Sequence, residues 1–347
     1  MKLSLDHYRL LGSSGLRVSP MCLGTMTFGT QWGWGASQDD CQAMVRTYLE
    51  RGGNFIDTAN KYTEGESERI VGKLIEGKRE RIVLSTKYSL STTAGDPNAC
   101  GNQRRNMVYA IENSLQRLKT DCIDLYWMHA WDALTPIQEV MRGLDDLVRA
   151  GKIVHIGVSD TPAWKVAQGN TLAELRGWSS FVALQCEYNL VERTPERELV
   201  PMARDLRLGV MPWSPLAGGL LTGKHAGPGA GAEDSKRAAL VRDRLTPRVE
   251  RILSALREVA GECGCSMARA ALSWVSTQPG VASVLLGART AAQLEDNLAS
   301  LEVELASAQR DRLDRASAIE LGFPHEFLAS ASVKDIVFGG TTVSAAP

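Results

Sequence analysis

The sequence predicts a closed ring of eight parallel strands wrapped by helices, a (β/α)8 TIM barrel, with an amino-terminal hairpin before it and an extra carboxy-terminal helix after it. Short runs rich in β-branched and apolar residues alternate with stretches of helical periodicity along most of the chain, and such alternation builds parallel sheets with crossover helices. Eight such units fit within 347 residues with no linker-like composition shift between halves, which favours one barrel over two doubly wound domains. The glycine-rich stretch Gly24 to Gly35 lacks G-x-G-x-x-G spacing after the first strand, which removes the usual fingerprint of a Rossmann dinucleotide site.

Residues 8–19, YRLLGSSGLRVS, read as two short strands around a Ser-Ser-Gly turn, placed to cover one end of the barrel. MCLGT (21–25) is the first barrel strand, followed by a Gly- and Trp-rich loop and an amphipathic helix over 39–51. NFIDT (54–58) precedes a helix from Ser67 that Gly77 stops, and RIVLSTK (81–87) precedes a polar loop, 89–103, and a helix over 104–119. CIDLYWMH (122–129) leads to a helix from Pro136 to Ala150, since proline suits a first turn. KIVHIGVS (152–159), helix 162–175, FVALQCE (181–187), helix 195–206 and LGVMPW (208–213) continue the alternation. About thirty Gly-, Pro- and charge-rich residues separate Trp213 from Pro247, a length that marks a candidate lid. Helices over 247–262 and 266–278, strand VASVLLG (281–287) and helix 290–299 complete the ring, and helix 304–320 is the addition. A barrel domain over 1–322 is thus expected, with a loosely held tail over 323–347.

Composition excludes several classes of function. A net charge of −1 with Lys and Arg dispersed leaves no footprint for nucleic acid or anionic membrane. No apolar run approaches the ~18 residues of a membrane span. The start, MKLSLDHYRL, has no secretory pattern, so a cytoplasmic protein is expected. Seven cysteines is an odd count; Cys22, Cys122 and Cys186 fall in predicted strands as core thiols, and Cys263 and Cys265 are too close together for zinc-knuckle spacing. No metal site is expected.

Chemistry concentrates just past strand ends. Asp57 ends NFIDT, Tyr62 lies in the loop beyond it, Lys87 ends RIVLSTK and His129 ends CIDLYWMH. In a barrel those ends share one face, so a carboxylate, a phenol, an ammonium and an imidazole converge there. That set can deliver a proton to a carbonyl oxygen that is gaining negative charge.

DTANKYTEGESERIVGKLI, LSTK, DLYWMH, GVSD, QCEYNL, PWSPLAGGLLTGK and GARTAAQLEDN occur in that order, and through them the chain resembles the aldo-keto reductases over roughly residues 8–320. The resemblance implies a catalytic tetrad of Asp57, Tyr62, Lys87 and His129, with Tyr62 as general acid and base. Lys87 would lower the phenol's pKa, Asp57 would hold the ammonium, and His129 would orient the substrate carbonyl. It implies an NADP(H)-dependent oxidoreductase interconverting an aldehyde or ketone with its alcohol by direct hydride transfer. Ser159, Asp160 and Gln185 would meet the nicotinamide carboxamide, with Trp213 stacked on the ring and Gly24, Thr25 and Met26 beside it. Asp160 departs from the family's common Asn: ionised, it only accepts hydrogen bonds, and its alternative reading is a cap for helix 162–175. Backbone around Leu216, Gly218 and Leu220 would cradle the pyrophosphate, with Ser214, Pro215 and Lys224 also counted as cofactor-binding. Arg289 and Gln293 would meet the adenosine end, Arg289 as the ligand of a 2′-phosphate that favours NADP(H) over NAD(H), and Gly287, Asp296 and Asn297 are also counted as cofactor-binding. Phe28, Trp32, Trp34, Tyr88 and Trp131 suggest an apolar substrate pocket for a bulky or hydrophobic carbonyl. Two other functions share this barrel: a redox-sensing regulatory subunit similar to the potassium-channel beta subunits, and an aldolase with Lys87 as Schiff base, which a protonated lysine disfavours.

Overall fold

The computed structural model describes residues 3–224 and 244–343; the central part of the lid candidate lies outside them. A two-stranded antiparallel hairpin, β1 (Arg9–Leu10) and β2 (Arg17–Val18), precedes the barrel. Eight parallel strands follow: β3 (Met21–Gly24), β4 (Phe55–Asp57), β5 (Val83–Tyr88), β6 (Ile123–Met128), β7 (Ile153–Ser159), β8 (Phe181–Glu187), β9 (Gly209–Trp213) and β10 (Val284–Leu286). From β3 to β9 each pairs with the next, and β10 pairs back onto β3. The ring closes where Val210 N donates to Gly280 O and Ala282 N donates to Val210 O, both at 2.9 Å.

Around the ring lie α1 (Gln38–Glu50), α2 (Glu66–Leu74), α3 (Arg104–Leu118), α4 (Ile137–Arg149), α5 (Ala163–Arg176), α6 (Leu199–Asp205), α7 (Pro247–Glu262), α8 (Met267–Ser276) and α9 (Ala291–Leu298). Local chemistry fixes several starts: the hydroxyls of Ser37, Thr246, Ser266 and Thr290 accept from backbone N–H groups in the first turns of α1, α7, α8 and α9. The additional helix, α10 (Ser307–Ser317), packs on α7 and is shorter than the sequence suggested.

Strand alternation separates two cores. Inside the barrel, Cys22, Phe55, Val83, Leu125, Trp127, Ala183, Met211 and Leu285 pack together, and Leu11 and Val18 of the hairpin region plug one end. The larger core lies between the outer face of the strands and the helices. The Trp127 indole fills the interior because Gly157, its neighbour in register on β7, has no side chain: a Cβ there would sit 2.3 Å from the indole.

Two expectations change, and the third element gains detail. Cys122 stands just before β6 and is half-buried rather than in the core. The helix expected over 195–206 is a 3-10 turn, Thr194–Glu196, followed by α6. The tail is helical through α11 (His325–Ala329) and α12 (Ala331–Phe338), although neither helix buries a side chain.

Candidate active site

Lys87 and Asp57 are fully buried on adjacent strands, their side chains 0% and 1% exposed, and form a close ion pair. Ser85 Oγ donates to the other carboxylate oxygen of Asp57 at 2.6 Å. The Lys87 ammonium also donates to Thr58 O at 2.9 Å and to the Tyr62 hydroxyl at 3.1 Å. Ser85 lies two residues before Lys87, so strand alternation aims both inward; that spacing was available in the sequence and passed unused.

Tyr62 reaches this group through a left-handed turn. Thr63, Glu64 and Gly65 have φ of 46°, 56° and 84°, costly for the first two, which carry a Cβ. Thr63 Oγ1 donates to Phe28 O at 2.8 Å and accepts from Ser67 N at 3.0 Å, which offsets part of that cost. Below the turn, Glu68 is buried between Thr86 Oγ1 and Arg117 Nε, 2.5 and 2.6 Å away. His129 follows β6, its ring edge-on to Tyr62 with centroids 5.9 Å apart.

Electrostatics set the protonation states. Burial alone would lower the Lys87 pKa, but Asp57 and the Tyr62 oxygen outweigh it, and the ammonium stays charged. Burial pushes the Tyr62 phenol above its ordinary value, with Lys87 pulling against it; the net lowering expected from the lysine does not emerge, because desolvation of a phenolate is the larger effect. Burial, reinforced by the Lys87 cation, lowers His129 to about 3, so its imidazole is neutral near pH 7.

Beside His129, three consecutive strand ends present buried polar atoms without partners: His129 Nδ1, Ser159 Oγ and Gln185 Nε2. Buried donors and acceptors are normally paired, so this row suits a polar planar group such as a carboxamide. Trp213 is half-buried at the end of β9, and its indole N–H donates to Asp160 Oδ1 at 3.1 Å. Asp160, at φ 42°, makes no cap hydrogen bond to α5, so the capping alternative is set aside; protein crowding raises its carboxyl pKa while Trp213 opposes the shift. The residues present therefore fit a nicotinamide.

Beyond β9 a second left-handed run, Ser214, Ala217, Gly218 and Gly219, bends the chain through a tight turn, leaving Pro215 and Leu220 buried and Leu216 half-buried, with Lys224 exposed at its end. Near β10, Gly287 and Arg289 are exposed, Gln293 Oε1 accepts from Arg289 N at 3.0 Å, Asp296 pairs with Arg269, and Asn297 is buried. Gly24 and the buried Thr25 sit against Asp57, whose carbonyl accepts from Thr25 N and Oγ1, while Met26 is 40% exposed.

A model of the "Aldo/keto reductase family" matches residues 20–318. The chain belongs to that family. It is 35% identical to norsolorinic acid reductase of Aspergillus flavus over 337 residues, 93% of this chain and 84% of that one. It is 39% identical to the uncharacterized oxidoreductase YrpG of Bacillus subtilis over 312 residues, 86% and 92% of the two chains. With "Aryl-alcohol dehydrogenase [NADP(+)]" of Phanerodontia chrysosporium it shares 34% over 349 residues, 95% and 91%. As an aldo-keto reductase the chain is an oxidoreductase acting on carbonyl compounds, in a family that generally uses nicotinamide cofactors.

Two pocket residues need correction. Tyr88 is fully buried and stacks on Tyr126, centroids 5.3 Å apart; one position past Lys87 on β5, it faces the helices rather than the barrel mouth. Phe28 is likewise fully buried, in the core between strands and helices. Trp32 and Trp34 are half-buried, with rings 5.5 Å apart, and Trp131 is half-buried on the loop after β6.

Residues without an obvious motif hold that loop. Asn102 and Asp132 bond reciprocally, Asn102 N to Asp132 Oδ2 and Asp132 N to Asn102 Oδ1, and Asn102 Nδ2 donates to Ser89 Oγ and Ala130 O. Ser89 Oγ also accepts from His129 N at 3.2 Å. The loops after β5 and β6 are thereby joined around His129. Nothing in local sequence spacing signals such a pairing, which spans thirty positions.

Proposed function

We propose that the chain interconverts bulky, hydrophobic aldehydes or ketones with their alcohols using NADP(H), with Tyr62 as the general acid and base. The observation that carries this reading is the Tyr62 hydroxyl 3.1 Å from a Lys87 ammonium that is itself buried against Asp57. When bound, the nicotinamide supplies or accepts the hydride. As charge grows on the carbonyl oxygen, Tyr62 donates its proton there, and the adjacent ammonium stabilises the phenolate left behind. Asp57, held by Ser85, keeps the ammonium in place. Neutral His129 offers an N–H to the same oxygen without adding a second cation beside Lys87. Ser159 and Gln185 would take the carboxamide, Trp213 the ring face, and Arg289 a 2′-phosphate; the NADP(+) in the name of the Phanerodontia relative supports that choice.

The test is steady-state oxidation of NADPH and of NADH against aromatic aldehydes, quinones and polycyclic ketones. Turnover with NADPH favoured, and that preference lost in Arg289→Ala, supports the reading. Turnover in Tyr62→Phe equal to that of the unmodified enzyme overturns it.

A further inference from the structure

At the mouth of the barrel the Lys165 ammonium lies between two indole faces, 4.4 Å from the ring centroid of Trp164 and 5.3 Å from that of Trp131. Its hydrogen-bond partner is the neutral Gln168 Oε1 at 3.0 Å, and among the described residues no carboxylate pairs with it. Lys165 stands in the first turn of α5, and that turn contains no acidic residue. A cation there faces the positive end of the helix dipole and is disfavoured, so helix stability does not account for it. Trp164 is 64% exposed, so its ring face is open to a ligand at the rim, with one end apolar and the other wet.

The cluster adjoins the catalytic group. Trp131 follows His129 by two residues, at most about 7 Å of chain. Trp131 N donates to Asp160 O at 3.3 Å, and the Asp160 carboxylate accepts from the Trp213 indole. Cation, paired aromatic faces and the proposed nicotinamide platform are therefore linked around one opening.

We propose that Trp131, Lys165 and Trp164 form a substrate subsite for the far end of an extended aromatic carbonyl compound that carries an anionic group, a carboxylate or phenolate, opposite the carbonyl. The indoles receive the ring system and Lys165 pairs with the anion. This rests on the carbonyl-reducing reading above and narrows its substrate class.

The experiment compares 4′-formylbiphenyl-4-carboxylate with neutral biphenyl-4-carbaldehyde, using full-length enzyme, NADPH, and the Lys165→Met variant. The unmodified enzyme should show a KM for the carboxylated aldehyde about five- to tenfold below that for the neutral one. Lys165→Met should remove that advantage while leaving kcat for both within about twofold. An unmodified enzyme with no preference for the acid, or a variant that shifts both KM values equally, overturns the subsite. If neither aldehyde is reduced, the proposed reaction is overturned for this class. The subsite is then read separately by calorimetric binding of the unreactive 4′-methylbiphenyl-4-carboxylate: binding that weakens in Lys165→Met supports it, and no binding to the unmodified protein overturns it.

Discussion

In the proposed reaction Tyr62, Lys87, Asp57 and His129 would divide the acid–base work by environment rather than by intrinsic acidity. Burial raises the phenol and lowers the imidazole, and the carboxylate keeps the lysine charged. Tyr62→Phe is expected to lower kcat by about 10² to 10⁴-fold, the usual scale for loss of a general acid, while NADPH binding followed by fluorescence stays near that of the unmodified enzyme. Lys87→Met should be comparably slow and should move the alkaline limb of the pH–rate profile upward, because the cation that favours phenolate is gone. For His129, the folded pKa of about 3 lies below the ordinary value of 6.5. The unfolded chain therefore binds more protons between those values, and stability falls as pH drops through that window. His129→Asn should flatten that slope in denaturant titrations at successive pH values; an unchanged slope would assign it to other groups. At this scale the proximity of the four side chains was legible because three of them end strand-like runs and Tyr62 lies in the loop just beyond one. The direction of the Tyr62 shift was not, since desolvation depends on side chains contributed by distant segments.

The same contrast appears among the elements. Strands and most helices followed from periodicity, whereas the Ser or Thr caps that open four of the helices emerged only with the structure. Period-two alternation along β5 separated Ser85 and Lys87 from Tyr88, yet the composition of the loop face had grouped Tyr88 with the substrate aromatics. The turn behind Tyr62 was invisible to pattern reasoning, since TEG carries one glycine where three residues adopt positive φ. The β6–β7 pair offers a direct test. Adding a methyl group at Gly157 collides with the Trp127 ring, so Gly157→Ala should destabilise the fold by about 1–3 kcal/mol, measured by urea unfolding. Trp127→Leu in the same chain should recover part of that loss by vacating the ring's space.

Across the whole molecule, the barrel carries the candidate site and the terminal helices stand apart from its core. With no buried side chain in α11 or α12, a chain ending at Gly322 should keep its turnover and lose about 1 kcal/mol of stability or less; a collapse in soluble yield or activity would give that segment a structural duty. The placement of the lysine–aspartate pair has a further consequence for how the protein matures. Those two charges are dehydrated only once β4 and β5 are zipped side by side, so a partly assembled chain leaves them wet and the phenol without its cationic neighbour. Reactivity and completed architecture therefore arrive together, and regained turnover during refolding should lag behind helix formation and coincide with enclosure of the barrel interior.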